Sequence, residues 1–218
     1  MGAPGLTTGL RSETFKKLQL NAGIVLKDFD YSAITTASGL KAAVAAAKTA
    51  GNMLGATRGG GTFTATRETR SPDVDGRRYN FKGGMFIDSI DAYLSTTLLE
   101  ITPDNLVTAL GTGEATTSDD KTTIKMHTAI EDTDYIENIC WIGDTAEEGF
   151  VIIALLNAIN MADFSLTYAD KNEGTLPVEL HATQDEVDDY DYAPFEIVHF
   201  APAAASAAPA ETTGTGEG

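Results

Sequence analysis

"GATRGGGTFTATRETRSPDVDGRRYNFKGGMF", residues 55–86, holds two readings at once. Its opening, GATRGGGT, comes within one residue of the phosphate-binding pattern G-x-x-x-x-G-K-[ST]: Gly55 and Gly60 fit, and Gly61 stands where the lysine belongs. A phosphate loop runs from a buried strand straight into a helix, whose first amides cradle the anion. Here the order is helix, glycines, strand, and the lysine is missing, so nucleotide binding is not expected. The glycines suit a mobile or closely packed backbone ahead of a hairpin. Thr62 to Thr66 alternates, with Phe63 and Ala65 on one face and three threonines on the other. Asp75-Gly76 is a favoured hairpin dipeptide, and Tyr79 and Phe81 share a face on the expected return strand. Residues 62–86 therefore read as a hairpin arm whose outer part carries Arg67, Arg70, Arg77 and Arg78.

Working outward, "GIVLKDFD" (23–30) suits a first strand, and "SGLKAAVAAAKTAGN" (38–52) is the clearest helix. Ser38 is the expected cap of that helix, Leu40, Val44 and Ala47 its apolar stripe, and Gly51 its left-handed stop. Beyond the arm, Tyr93 to Ile101 is rich in strand formers. Thr102 then caps a short helix with Pro103 at its first position, and Gly111 ends it. "TGEATTSDDK" reads as a polar loop, and "TTIKMHTAI" and "YIENICWIG" as strands about the acidic turn "EDTD". "GFVIIALLNAINM" (149–161) should be a central buried strand. Residues 163–185 read as strand, turn, strand with Pro177 at an edge, and "APFEIVHF" (193–200) as a final strand. Eight or more strands and two short helices predict a mainly β fold, a β-sandwich or barrel with peripheral helices. Residues 1–20 read as an N-terminal arm, 21–200 as the β domain, with its hairpin arm at about 55–86, and 201–218 as a flexible low-complexity tail.

Charge is the strongest compositional signal. The formal net charge is −17, yet residues 1–82 hold 12 bases against 6 acids, while residues 126–218 hold Lys171 alone against 19 acids. Both signs on one chain allow copies to be each other's partners, and the overall sign argues against a nucleic-acid binder. No apolar run is long enough to span a membrane, and the start lacks a secretory stretch, so a cytoplasmic product is expected. Cys140, the sole cysteine, lies in an apolar run and reads as a buried, inert thiol.

Catalytic signals are absent. His127, His181 and His199 each sit alone on strand-like segments, none at helical spacing with an acid, so no zinc-hydrolase pattern is expected. "QDEVDDYDY" (184–192) gathers Asp185, Glu186, Asp188, Asp189 and Asp191 but misses the calcium-loop pattern, and a solvated loop is the simpler reading. No enzyme, cofactor or metal is expected.

The order of segments is what resembles a known family. The helix followed by "LGATRGGGTFTATRETRSPDVDGRRYNFKG", then "YLSTTLLEITPDNLVTAL", then "VIIALLNAINMADFSL" and "DKNEGTLPVELHATQD" is similar to the major tail protein, or tail tube protein, of long-tailed bacteriophages. The likeness covers roughly residues 20–200. It implies a β-sandwich-like subunit that closes into six-membered rings, stacked head to tail into a hollow tube for DNA ejection. It further implies a tape-measure protein, tail terminator and baseplate or tail-tip proteins as partners, and a place in the virion after synthesis in the host cytoplasm. On that reading Arg58, Arg67, Arg70, Arg77 and Arg78 are expected at subunit or ring interfaces, facing carboxylates of the C-terminal half. The alternative is a monomeric acidic β-barrel that binds a small molecule or a cell-surface target.

Overall fold

The computed structural model describes residues 9, 14–19, 21–146, 149–185 and 191–201. The expected N-terminal arm and C-terminal tail therefore lie largely outside the described residues, as do positions 186–190 of the acidic segment. In chain order the elements are β1 (Ile24–Lys27), α1 (Ala37–Ala50), β2 (Thr57–Arg70), β3 (Phe86–Leu98) and α2 (Pro103–Leu110). There follow β4 (Gly113–Ser118), β5 (Lys121–Met126), β6 (Ile136–Asp144), β7 (Phe150–Asn160), β8 (Thr167–Ala169), β9 (Asn172–His181) and β10 (Phe195–Phe200). The protein is mainly β, as the sequence predicts.

Every pairing is antiparallel, and eight strands form one sheet in the order β1-β6-β7-β9-β3-β2, with β10 beside β7 and β8 beside β9. The sheet folds over at β7, the strand expected to be central. Its first part pairs with β10 through Leu155, and its last two residues, Ile159 and Asn160, pair with β9 instead. Asn157, at φ +45°, makes the corner. Thr183 holds it there, its hydroxyl donating to the Asn157 carbonyl at 2.6 Å and its amide to that of Leu156 at 3.1 Å.

Period-two alternation sorts the side chains into two cores. Val25, Ile139 and Leu155 point between the two halves of the sheet, where they meet Leu94, Leu98, Leu176 and Leu180. Their chain neighbours Leu26, Cys140 and Ala154 point the other way, into a second cluster closed by Leu40 and Ala47 of α1 together with Phe29 and Phe200. The layering is thus helix, sheet, sheet.

Both helices end where the sequence places their stops, with Gly51 at φ +87° closing α1 and Gly111 closing α2. The N-cap of α2 is Thr102, as expected, but that of α1 is Thr36 rather than Ser38. Thr36 is still extended, and its Oγ1 accepts from Gly39 N at 3.1 Å; Ser38 already lies within the helix. Asn105 ties α2 to the body by donating to the carbonyls of Leu54 and Glu100, and Asn160 does the same at the other end through Ala109. Pro177 lies where β9 has β3 on one side and no described strand on the other, so its missing N–H leaves no ladder bond unmade.

Two expectations need correction. "TGEATTSDDK" is not a loop: β4 pairs with β5 in a separate hairpin that turns at Asp119, φ +53°. The glycines do not precede the arm but lie inside β2, where the register slips between Thr57 and Gly61. Gly59 and Gly60 hold φ of +75° and +77°, and a Cβ on Gly61 would stand 3.0 Å from the Ser95 carbonyl oxygen. A bulge and a close approach require these residues, which answers the near-miss to a phosphate loop. Among the described residues no helix is long and apolar enough to cross a membrane.

Candidate assembly surface

β2 and β3 begin as part of the body and end outside it. Between Ala92 and Leu98 every second residue of β3 is buried, because β9 flanks the strand and the core lies beneath it. From Phe86 to Asp91 every residue is exposed, as is the facing stretch of β2 from Ala65 to Arg70. This outer part is a two-stranded ribbon with no further strand beside it among the described residues. Its pairing runs from Ala65↔Ala92 to Arg70↔Phe86, with a register shift between Glu68 and Thr69.

The return strand starts at Phe86, not at Tyr79. Residues 71–85 form a broad tip in which Tyr79 and Phe81 are exposed. The expected turn at Asp75-Gly76 is present, closed by Arg77 N donating to the Val74 carbonyl at 3.1 Å, but it lies within the tip and does not join the two strands directly. Arg77 organises this tip. Its Nε donates to the Tyr79 carbonyl at 3.0 Å, and its two other nitrogens reach Pro72 O, Ser71 Oγ and Asn80 Oδ1. Under that brace lies an apolar groove of about 390 Å³, lined by Pro72, Val74, Phe81 and Phe86 among others.

The five arginines are not gathered on one surface. Arg58 forms an ion pair with Glu173, joining β2 to β9 at the inner end of the arm. Arg70 Nε stands 3.2 Å from Asp88 across the ribbon. Arg77 is committed to the tip. Arg67 and Arg78 are exposed and make no ion pair among the described residues. Arg67 and Arg70 lie on either side of the register shift between Glu68 and Thr69. Residues 66–90 carry five bases, the last of them Lys82, against Glu68, Asp73, Asp75 and Asp88, so the arm is only weakly basic.

Its apolar content is the larger feature. Val74, Tyr79, Phe81, Met85, Phe86, Ile87 and Ile90 are all exposed on the arm. Phe86, Ile87 and Ile90 carry no role in the sequence reading, although Phe-Ile-x-x-Ile is visible there in a β-rich run. A soluble single chain seldom leaves so many large apolar side chains together on one projection.

The titratable groups fall into separate local sets. Cys140 is fully buried, and burial first, then the nearby Glu196 carboxylate, pushes its thiol up to about 12. Tyr31 is raised by burial and by its hydrogen bond to Glu196. His127 stands 3.8 Å from both Glu114 and Glu131, and His181 lies between Asp91 and Glu179. Glu131 is four residues beyond His127, a spacing the sequence reading missed, but the link is a turn and not a helix. Among the described residues no three His, Cys, Asp or Glu side chains are grouped to hold a metal ion. No family model matches the chain, and no curated protein matches it.

Proposed function

We propose that this chain is a structural subunit of a bacteriophage tail tube, closing into six-membered rings that stack head to tail into a hollow conduit for DNA. The observation that supports it best is the projecting β2–β3 arm, with open edges and exposed Phe86, Ile87 and Ile90. A two-stranded ribbon is marginal alone in water, and exposed apolar surface of this kind is covered in the working state. Head-to-tail packing offers every arm the same complementary seat on the next copy, and strand addition closes an open edge. Arg67 and Arg78 are then the arginines left to meet carboxylates of a neighbour, whereas Arg58, Arg70 and Arg77 already serve their own chain. A chain of net charge −17 suits a wall along which phosphates slide without binding. Tape-measure, terminator and baseplate proteins are the partners this role entails, the virion is its place, and no catalysis is involved.

Negative-stain electron microscopy of the concentrated protein tests the proposal. Rings with a central hole, or tubes of uniform width, are the expected result. Particles of subunit size that persist at high concentration, with tape-measure protein added, would transfer the reading to an acidic β-barrel binding module.

A further inference from the structure

Where the arm leaves the body, four side chains from two strands form one cluster. Tyr93 on β3 pairs with His181 on β9, and Asp91 and Glu179 lie two residues away on the same face. The Tyr93 and His181 rings stack with centroids 4.8 Å apart. His181 Nδ1 is 2.9 Å from Asp91 Oδ1, and Nε2 is 3.0 Å from Glu179 Oε1. A neutral imidazole has one N–H and one lone pair, so it can satisfy one of these carboxylates while opposing the other. Only the imidazolium donates to both. The other neighbouring strands bring no charge to the pair: β7 lays Ile159 beside His181, and β2 sets Thr64 and Thr66 opposite Tyr93 and Asp91.

We propose that His181 is a proton-operated pin at the root of the arm: charged, it fastens the arm strand to β9 through Asp91 and Glu179, and uncharged, it lets the root open. Burial pushes this ring's pKa down, but the hydrogen bonds and charges of Asp91 and Glu179 outweigh that and raise it above 6.5. A raised folded value means the stabilisation is fully present below 6.5 and is lost as pH climbs through the folded value. The pin is independent of the tube reading. Where tubes form, it makes the posture of the arm, and so its docking, sensitive to pH.

Amide hydrogen exchange of the full chain, corrected for intrinsic rates between about pH 5.5 and about pH 9, tests it. The Ala182 amide, bonded to the Ala92 carbonyl at 2.9 Å, reports on the root, and β6 serves as the internal control. The expected result is a several-fold loss of protection at the root as pH rises, with β6 unchanged, a flat profile in His181→Gln, and a smaller step in Asp91→Asn, where Glu179 still faces the ring. A flat profile in the unmodified chain, or a step that survives in His181→Gln, overturns the proposal. Since the unmodified chain alone can refute it, the test stands even if a variant folds poorly.

Discussion

The two ends of β3 both carry large apolar side chains and both pair with β2, yet their surroundings differ. Leu94 and Leu98 are sealed between the two halves of the sheet, while Phe86, Ile87 and Ile90, just as apolar, stand in solvent. The difference is topological. The inner segment has β9 beside it and a core beneath it, whereas the outer one has β2 alone. Apolar content therefore does not place a residue inside; available neighbours do. On the proposed tube reading, those of the outer segment come from another copy of the chain.

The contrast yields graded expectations. Leu98→Ala, in the inner segment, should lower stability by about 2–5 kcal/mol in urea unfolding, since it opens a cavity in a closed core. Asn160→Ala should cost about 1–3 kcal/mol, because it leaves the Ala109 carbonyl and the Glu179 amide without their buried partner. Thr36→Ala removes one helix cap and should cost about 1 kcal/mol. Ile90→Ser, in the outer segment, should change monomer stability by less than about 0.5 kcal/mol, as exposed substitutions do. A large loss there would show that the arm folds back onto its own body. On the body side, Cys140 should resist aromatic disulfide reagents at about pH 8 until the chain unfolds, for its thiol is buried and hard to ionise.

Much of the body was readable because local signals agreed. The β-branched, apolar run of β7 named the central strand, and Thr102, Pro103 and Gly111 bounded α2. What escaped was set by tertiary context. Two hydroxyls two residues apart, Thr36 and Ser38, are equally able caps, and only the backbone angle chooses between them. The β4 strand, GEATTS, has no buried face to impose alternation, so it reads as a loop. The corner at Asn157 depends on Thr183, which is distant in sequence. The arm followed the same rule. Its arginines stand out as charges, yet three of the five have partners within the chain, and no local signal in Phe86, Ile87 and Ile90 tells an exposed apolar trio from core.

The claim that another copy covers the arm is met most directly by sedimentation velocity. The unmodified chain would be compared with a variant carrying Phe86→Ser, Ile87→Ser and Ile90→Ser, after matching their urea midpoints. The account predicts concentration-dependent assembly for the unmodified chain and a well-folded monomer for the variant. Equal assembly of both, or a monomer in both at every concentration, would contradict it.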